Sequence, residues 1–309
     1  MSVTIQDVAK AAGVTVGTVS RALNNYADVN ENTRQRIIRT AREMGYHPNL
    51  IARSLSSKHA RRIALIVSGF LEDKMFNHFE TMLMKGCYQF AQEWGVELSM
   101  HMINSEIQRQ KSYEQLCHEH NLSGAVLLGL KTTDPYCDGF PAGSPPCVTI
   151  DTQVKGPNVS NVTLDHIAAF DGLTQYLIDQ GHRRIVLVHG RKEAMVSMER
   201  LAGAHQAMER NGLPLTHDQI IYTNFLREEA CDGVRHYLQT HDPRSVTAFL
   251  CMSDMLAIGA IEAIKSLGYK VPRDYSVVGY DGLDVTDFTD PRITTIDQNI
   301  RLKGYEAAH

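Results

Sequence analysis

From Ile63 onward, short runs rich in β-branched residues alternate with longer stretches whose apolar residues recur at helical spacing. Residues 63–67, 97–102, 125–128 and 148–150 form a first set of predicted strands, and 185–188, 220–222, 248–252 and 276–280 a second. Between them the pattern predicts helices over 78–94, 108–118, 167–180, 198–210, 228–240 and 255–267. Such alternation imposes parallel pairing, because a parallel neighbour needs a crossover long enough to hold a helix. A loop near residues 152–162 separates the two sets, so two similar α/β lobes are expected. Ligands of open parallel sheets lie beyond the carboxyl ends of the strands, and two lobes facing each other enclose a cleft.

The residues before this body read as three short helices. Thr4 followed by Asp7 is close to a capping box, and Ile5, Val8, Ala9 and Ala12 form one apolar stripe. Gly13 breaks that helix by supplying a positive φ. Thr15 can cap a second helix with Val19, Ala22 and Leu23 on its buried face, ended by Asn24-Asn25. Asn30 can cap a third, with Ile37, Ile38, Ala41 and Met44 inside and Gly45 as its stop. Two helices joined by so short a turn match a helix-turn-helix, whose second helix lies in the DNA major groove. Its outward positions are Thr15, Val16, Gly17, Thr18, Ser20 and Arg21. Arg21 can bond guanine O6 and N7 together, Val16 can pack on a thymine methyl, and the short hydroxyls suit phosphates. The alternative is a three-helix packing module.

Pro48 ends the third helix at His47. Residues 49–55 form at most a short helix, marginal in water alone, which is expected to order only with a partner. Leu55 is an apolar side chain on a basic, polar segment; it can wedge between base steps in a minor groove or pack on the body.

Charge divides the chain at the same place. Residues 1–62 hold ten Lys/Arg against four acids, whereas the whole chain is −4, so a basic head precedes an acidic body. A head of this kind suits a polyanion, with a merely solvated basic face as the alternative.

Chemistry of other kinds finds little support. GxGxxG, GxxxxGK[ST] and GxSxG are absent, and His118-Glu119-His120 lacks HExxH spacing. The six cysteines form no CxxC pair and read as reduced, buried thiols. No apolar run approaches the ~20 residues that span a bilayer. The N-terminus shows no secretory signal, so a cytoplasmic protein is expected, with no metal, cofactor or catalytic residues.

The head resembles that of the LacI/GalR family of bacterial transcription regulators. The resemblance rests on Thr4-Ile5-Gln6-Asp7-Val8-Ala9, Ala12-Gly13-Val14-Thr15, Thr18-Val19-Ser20-Arg21 and Gly45-Tyr46-His47-Pro48-Asn49. The body resembles the family's periplasmic-binding-protein-like core. There the matching segments are Gly181-His182-Arg183-Arg184-Ile185, Glu199-Arg200-Leu201-Ala202-Gly203, Ser253-Asp254-Met255-Leu256-Ala257-Ile258-Gly259, Val277-Val278-Gly279-Tyr280-Asp281 and Pro291 through Gln298.

The resemblance implies an all-α head over 1–47, a hinge helix and linker over 48–61, and an α/β body over 62–309. The body's lobes would comprise 62–160 plus 291–309, and 161–290. It implies DNA contacts from Thr4, Thr15, Val16, Gly17, Thr18, Ser20, Arg21, Asn24 and Asn49, with Ala52 and Leu55 entering the minor groove. It implies effector contacts from Arg200 and Asp281, with Ser253 and Gln298 beside them. Phe79 would lie along an apolar sugar face, or else pack under the first body helix. Asp151 is a weaker candidate, as is Asp165, whose alternative is helix capping.

Val16 and Gly17 replace larger polar side chains common in the family, so base readout leans on Arg21 and DNA shape. Ser253 stands where asparagine is frequent and His78 where proline is. Related chains usually continue beyond the equivalent of His309, so the body is expected to be C-terminally short. The implied function is a ligand-responsive repressor of a sugar-utilisation operon. It would bind a near-palindromic operator as a homodimer, a tetramer remaining open, with a sugar or sugar derivative in the cleft. The rival readings are an exported solute-binding protein and a sugar-modifying enzyme.

Overall fold

The protein is described by a computed structural model covering residues 3–23, 26, 28–46, 61–69 and 78–309. The chain divides into two compact units, residues 1–60 and 61–309.

The first unit holds α1 (Ile5–Ala12), α2 (Val16–Leu23) and α3 (Glu31–Glu43). The Thr4 hydroxyl accepts from the Asp7 amide at 3.4 Å and the Asp7 carboxylate accepts from the Thr4 amide at 2.8 Å, the reciprocal pair of a capping box. Gly13 leaves α1 at φ 66. The Thr15 hydroxyl accepts from the Thr18 amide at 3.2 Å, and Asn30 accepts from the Asn32 amide at 3.0 Å. Val8, Ala9, Ala12, Val19, Ala22, Val29, Ile37 and Ala41 share one small core.

The second unit contains two wholly parallel sheets. The first has the order β2-β1-β3-β4-β5, with β1 Arg62–Ser68, β2 Glu97–Ile103, β3 Gly124–Leu128, β4 Cys147–Ile150 and β5 Val159–Val162. The second has the order β7-β6-β8-β9, with β6 Ile185–His189, β7 Ile220–Tyr222, β8 Ala248–Cys251 and β9 Ser276–Val278. Helices α4 (His78–Trp94), α5 (Ser105–Gln110) and α6 (Tyr113–Glu119) belong to the first lobe. Helices α7 (His166–Asp179), α8 (Met195–Arg210), α9 (Arg227–Thr240) and α10 (Asp254–Ser266) belong to the second. Along β1, Ala64 and Ile66 enter the core on one face of the sheet while Leu65 and Val67 enter the core on the other. Period-two alternation thus feeds two layers of helices.

Two local expectations are corrected. The helix expected over 108–118 is two helices, because Lys111 is extended (φ −132, ψ 128). Ser112 then opens α6 with its own capping box to Gln115. The loop expected over 152–162 contains β5, a strand of four residues with Ser160 and Asn161 inside it, too short and polar to show a strand pattern.

After β9, parallel bridges pair Val278 with Thr294 and Asp281 with Asp297, so this segment follows the edge of the second sheet. The chain then returns to the first lobe as α11 (Ile300–Ala308), which packs along α4. Their contact is close: a Cβ on Gly86 would stand 2.0 Å from the Arg301 carbonyl oxygen, and one on Gly304 2.1 Å from that of Leu83. Leu283, from the second lobe, joins the first lobe's core, against which Met255 and Val285 also pack. All six cysteines are free, Cys87, Cys117, Cys147 and Cys251 being buried. No helix among the described residues is long and apolar enough to cross a membrane.

Candidate functional site

Where the lobes meet, the strand ends deliver charge into an apolar setting. Asp151 follows β4 directly, at φ 55, its amide donating to the Val162 carbonyl at 3.1 Å. Its carboxylate receives the Lys303 ammonium on both oxygens, at 3.0 and 2.9 Å. It also meets His166 Nε2, at the start of α7, at 3.1 Å. Lys303 further donates to Gln298 Oε1 at 2.8 Å, and Gln298 Nε2 donates to Asp281 Oδ1 at 2.6 Å. The Arg200 guanidinium, from α8, stands 4.0 Å from that same Asp281 oxygen and lies over the Tyr280 ring at 4.2 Å. The Tyr280 hydroxyl meets His166 Nδ1 at 2.9 Å, which closes the circuit. Every member but Asp151 is at least 95% buried.

These contacts set protonation. A carboxylate only accepts, so His166 Nε2 carries a proton toward Asp151. In a neutral ring Nδ1 must then accept from Tyr280. Burial keeps His166 neutral, lowering its pKa, with Arg200 and Lys303 adding to the effect against the pull of Asp151. Burial would raise Asp151, but the His166 hydrogen bond and the Lys303 ammonium outweigh it and hold the carboxyl at about 2. Its stabilising contribution is therefore present above the unfolded carboxyl value and lost as pH falls toward 2. For Asp281 burial wins over Arg200 and pushes the carboxyl up to about 7. Stability from that group is lost as pH rises from the unfolded value through about 7.

Around Arg200 the second lobe adds further polar groups. Its Nη1 donates to the Met252 carbonyl at 2.5 Å, at the end of β8. Arg200 Nε and Ser197 Oγ, three residues apart on α8, are buried with no hydrogen-bond partner among the described residues. Ser253 caps α10, accepting from the Leu256 amide at 3.3 Å. Asp254 organises the loop after β9, accepting from the Leu283 amide at 2.8 Å and the Thr295 hydroxyl at 2.6 Å. Phe225 sits at φ 66 after β7 with its ring directly against Gly190.

Asp151, Arg200, Asp281 and Gln298 are thus brought together, and Ser253 adjoins Met252, the residue that receives Arg200. Phe79 packs against the first lobe's core, its ring centre 6.0 Å from the Lys303 nitrogen. Asp165 accepts from the Ala168 amide at 2.9 Å and caps α7. His166, Tyr280, Lys303, Ser197 and Phe225 were not singled out in the sequence. Lys303 stands in a helix of mixed character, and nothing in its spacing signals that its head group is buried. No group of three or more His, Cys, Asp or Glu among the described residues is arranged to hold a metal ion.

In the first unit, Thr15, Val16, Gly17 and Arg21 are exposed along α2, while Thr18 and Ser20 are half-buried. Arg21 Nε is 3.6 Å from Asp28, both side chains being about half exposed. Thr4 caps α1. Asn24, Asn49, Ala52 and Leu55 lie outside the described residues.

The profile described as "Bacterial regulatory proteins, lacI family" matches residues 4–49, and a "Periplasmic binding protein-like domain" matches residues 174–309. The HTH-type transcriptional repressor CytR of Escherichia coli K12 is 32% identical over 305 residues, covering 98% of this chain and 87% of that protein. A solved complex of the transcriptional regulator CelR with cellobiose superposes with a TM-score of 0.70 at 29% identity, over 99% of this chain and 91% of that one. The Lac repressor dimer bound to operator and the anti-inducer ONPF superposes with a TM-score of 0.81 at 24% identity, over 100% and 91%. At that identity the likeness is one of fold.

Proposed function

The chain belongs to the LacI family of bacterial regulatory proteins, and we propose that it is a repressor that grips a near-palindromic operator as a homodimer and answers a small effector held between its lobes. The observation that carries the effector half of this reading is the pair of buried polar atoms on α8, Arg200 Nε and Ser197 Oγ, with no partner among the described residues, the first on a side chain that faces Asp281. Buried polar groups are ordinarily hydrogen-bonded, so such atoms point to a partner supplied from outside.

An arginine fork and a strand-end carboxylate can each bond two neighbouring hydroxyls, which suits a sugar or sugar derivative. Ser253 offers a further hydroxyl, and Phe79 and Phe225 offer apolar ring faces. Asp151 is already engaged by Lys303 and His166, so it shapes the cleft rather than gripping the effector. The relatives support the class: CytR is a repressor, and CelR is solved with cellobiose. Genes for sugar use are the natural target of such a response.

On the DNA side, α2 presents Val16, Gly17 and Arg21 for base edges, with Thr4, Thr15, Thr18 and Ser20 for phosphates. Asn24, Asn49, Ala52 and Leu55 are assigned DNA contacts by resemblance. One such helix reads only a few base pairs, so two heads related by twofold symmetry supply the two half-sites. An effector that prefers one lobe arrangement changes how the two heads are presented to the operator, with a coupling of about 1–3 kcal/mol.

Selecting duplexes from a random pool and titrating the winner by fluorescence anisotropy tests the reading. Specific affinity is expected to fall at least tenfold between roughly 50 and 200 mM salt, because the head displaces condensed counterions. An affinity that is flat with salt, or equal for selected and random duplexes, would remove it.

Effector binding should also depend on pH. An ionised carboxylate accepts from hydroxyls on both oxygens and more strongly than the protonated acid does, and the Asp281 carboxyl stands at about 7. Affinity is expected to weaken as pH drops below 7, by less than tenfold per unit because the protonated acid still accepts through its carbonyl oxygen. Isothermal titration between pH 6 and 8 reads this directly, and an Asp281→Asn variant should lose the dependence.

A further inference from the structure

We propose that His166 is a positioning residue that couples the angle between the two lobes to the orientation of the Arg200 guanidinium. The inference rests on the interlobe cleft being the effector site and goes on to say how that site senses the lobes.

The relay is built from both sides of the junction. Asp151 belongs to the first lobe, through β4, whereas His166, Tyr280 and Arg200 belong to the second, through α7, the end of β9 and α8. The Asp151–His166 hydrogen bond at 3.1 Å therefore spans the junction. Lys303 holds both Asp151 oxygens at 2.9–3.0 Å from a helix packed on α4, so the carboxylate cannot swing to follow His166 if the second lobe turns. A displacement of about 1 Å would carry the bond out of range.

On its other side, His166 is tied to the Tyr280 hydroxyl at 2.9 Å. Because the acceptor-only carboxylate fixes the proton on Nε2, Nδ1 of neutral His166 accepts a hydrogen bond from the Tyr280 hydroxyl, which then has one direction to point. The face of that same ring supports Arg200 at 4.2 Å. Lobe rotation that breaks Asp151–His166 frees the ring of His166, then the Tyr280 hydroxyl, then the platform under the guanidinium. By reciprocity, an effector that holds Arg200 in place favours the lobe arrangement in which the relay is intact.

The test uses the full chain without DNA or effector. Spin labels are attached at exposed Arg109 in the first lobe and Glu209 in the second through a genetically encoded ketone amino acid, which leaves the six cysteines untouched. Interlobe separations come from pulsed electron resonance, and the Arg200 side chain is followed by its nitrogen-15 Nε resonance. His166→Phe is expected to shift and broaden the distance distribution and to move the Arg200 resonance. His166→Gln, whose amide N–H can still reach Asp151, should restore most of the parent distribution. Tyr280→Phe should move the Arg200 resonance and leave the distribution alone. Should His166→Phe fail to fold by circular dichroism, Asp151→Asn reports the same contact from the first lobe and is read the same way. An unchanged distance distribution, or a shift with no movement of the Arg200 resonance, would overturn the proposal. Neither outcome bears on duplex binding, so the relay and the regulator reading fail separately.

Discussion

Arg200→Ala should weaken effector binding by about 100-fold or more while leaving operator binding intact. Arg200 is 97% buried, its guanidinium over the Tyr280 ring and 4.0 Å from Asp281. Truncating a buried arginine at the centre of a binding site typically costs about 2–4 kcal/mol in binding. Folding should suffer less than binding. Asp281 already titrates at about 7, and losing its cation drives the carboxyl higher, so it takes up a proton instead of remaining a bare anion. The measurement is a thermal-shift screen of the parent against neutral sugars, sugar phosphates and nucleosides, followed by titration of the stabilising compound into both proteins. Affinity for that compound within threefold of the parent's would discard the cleft assignment.

Gly86→Val is the second large effect, expected on stability. The α4–α11 crossing leaves no room for a side chain: a Cβ there would stand 2.0 Å from one backbone oxygen and 2.8 Å from the Tyr305 amide nitrogen. Backbone atoms on a packed helix cannot step aside as a flexible side chain does. The helices must separate, which opens the contact that carries Lys303 to Asp151 and exposes Leu83 and Ala307. Overpacking of well-packed cores costs about 1–3 kcal/mol and at times more, and a clash with backbone belongs at the upper end. At about 2–4 °C per kcal/mol for a domain of this size, the melting temperature should fall by roughly 10 °C. Gly304→Val should do the same from the other helix. A melting temperature within about 2 °C of the parent's would show that the two helices are not in register as described.

Much of the architecture was readable because it follows from short-range rules. Thr4 with Asp7, Thr15 with Thr18 and Asn30 with Asn32 are caps made within one helical turn, and the expected helix starts coincide with the observed ones. The strand–helix alternation led to two parallel sheets because chain connectivity leaves few other pairings. Failures occurred where the local signal was thin. Lys111 interrupts an apolar spacing that continues across it, and β5 is a strand only because β4 offers it a partner.

The candidate cleft divides in the same way. Arg200 and Asp281 stand in segments whose family resemblance can be read in one dimension, and Asp151 could be placed at a strand end. Tyr280 shares the Asp281 segment, but its bond to His166, and the places of His166 and Lys303, could not be read there. His166, Tyr280 and Lys303 come from α7, the end of β9 and α11, and the bonds that join them span 15 to 152 positions of sequence. By itself, then, the amino-acid sequence determined the helix caps, the parallel sheets, the basic head and the family. Only the tertiary structure decided that a lysine and a histidine would be sealed against Asp151 between the lobes. Capping and periodicity are settled by neighbours in the chain, whereas the state of a buried charge depends on which partners the fold delivers to it once water has been removed.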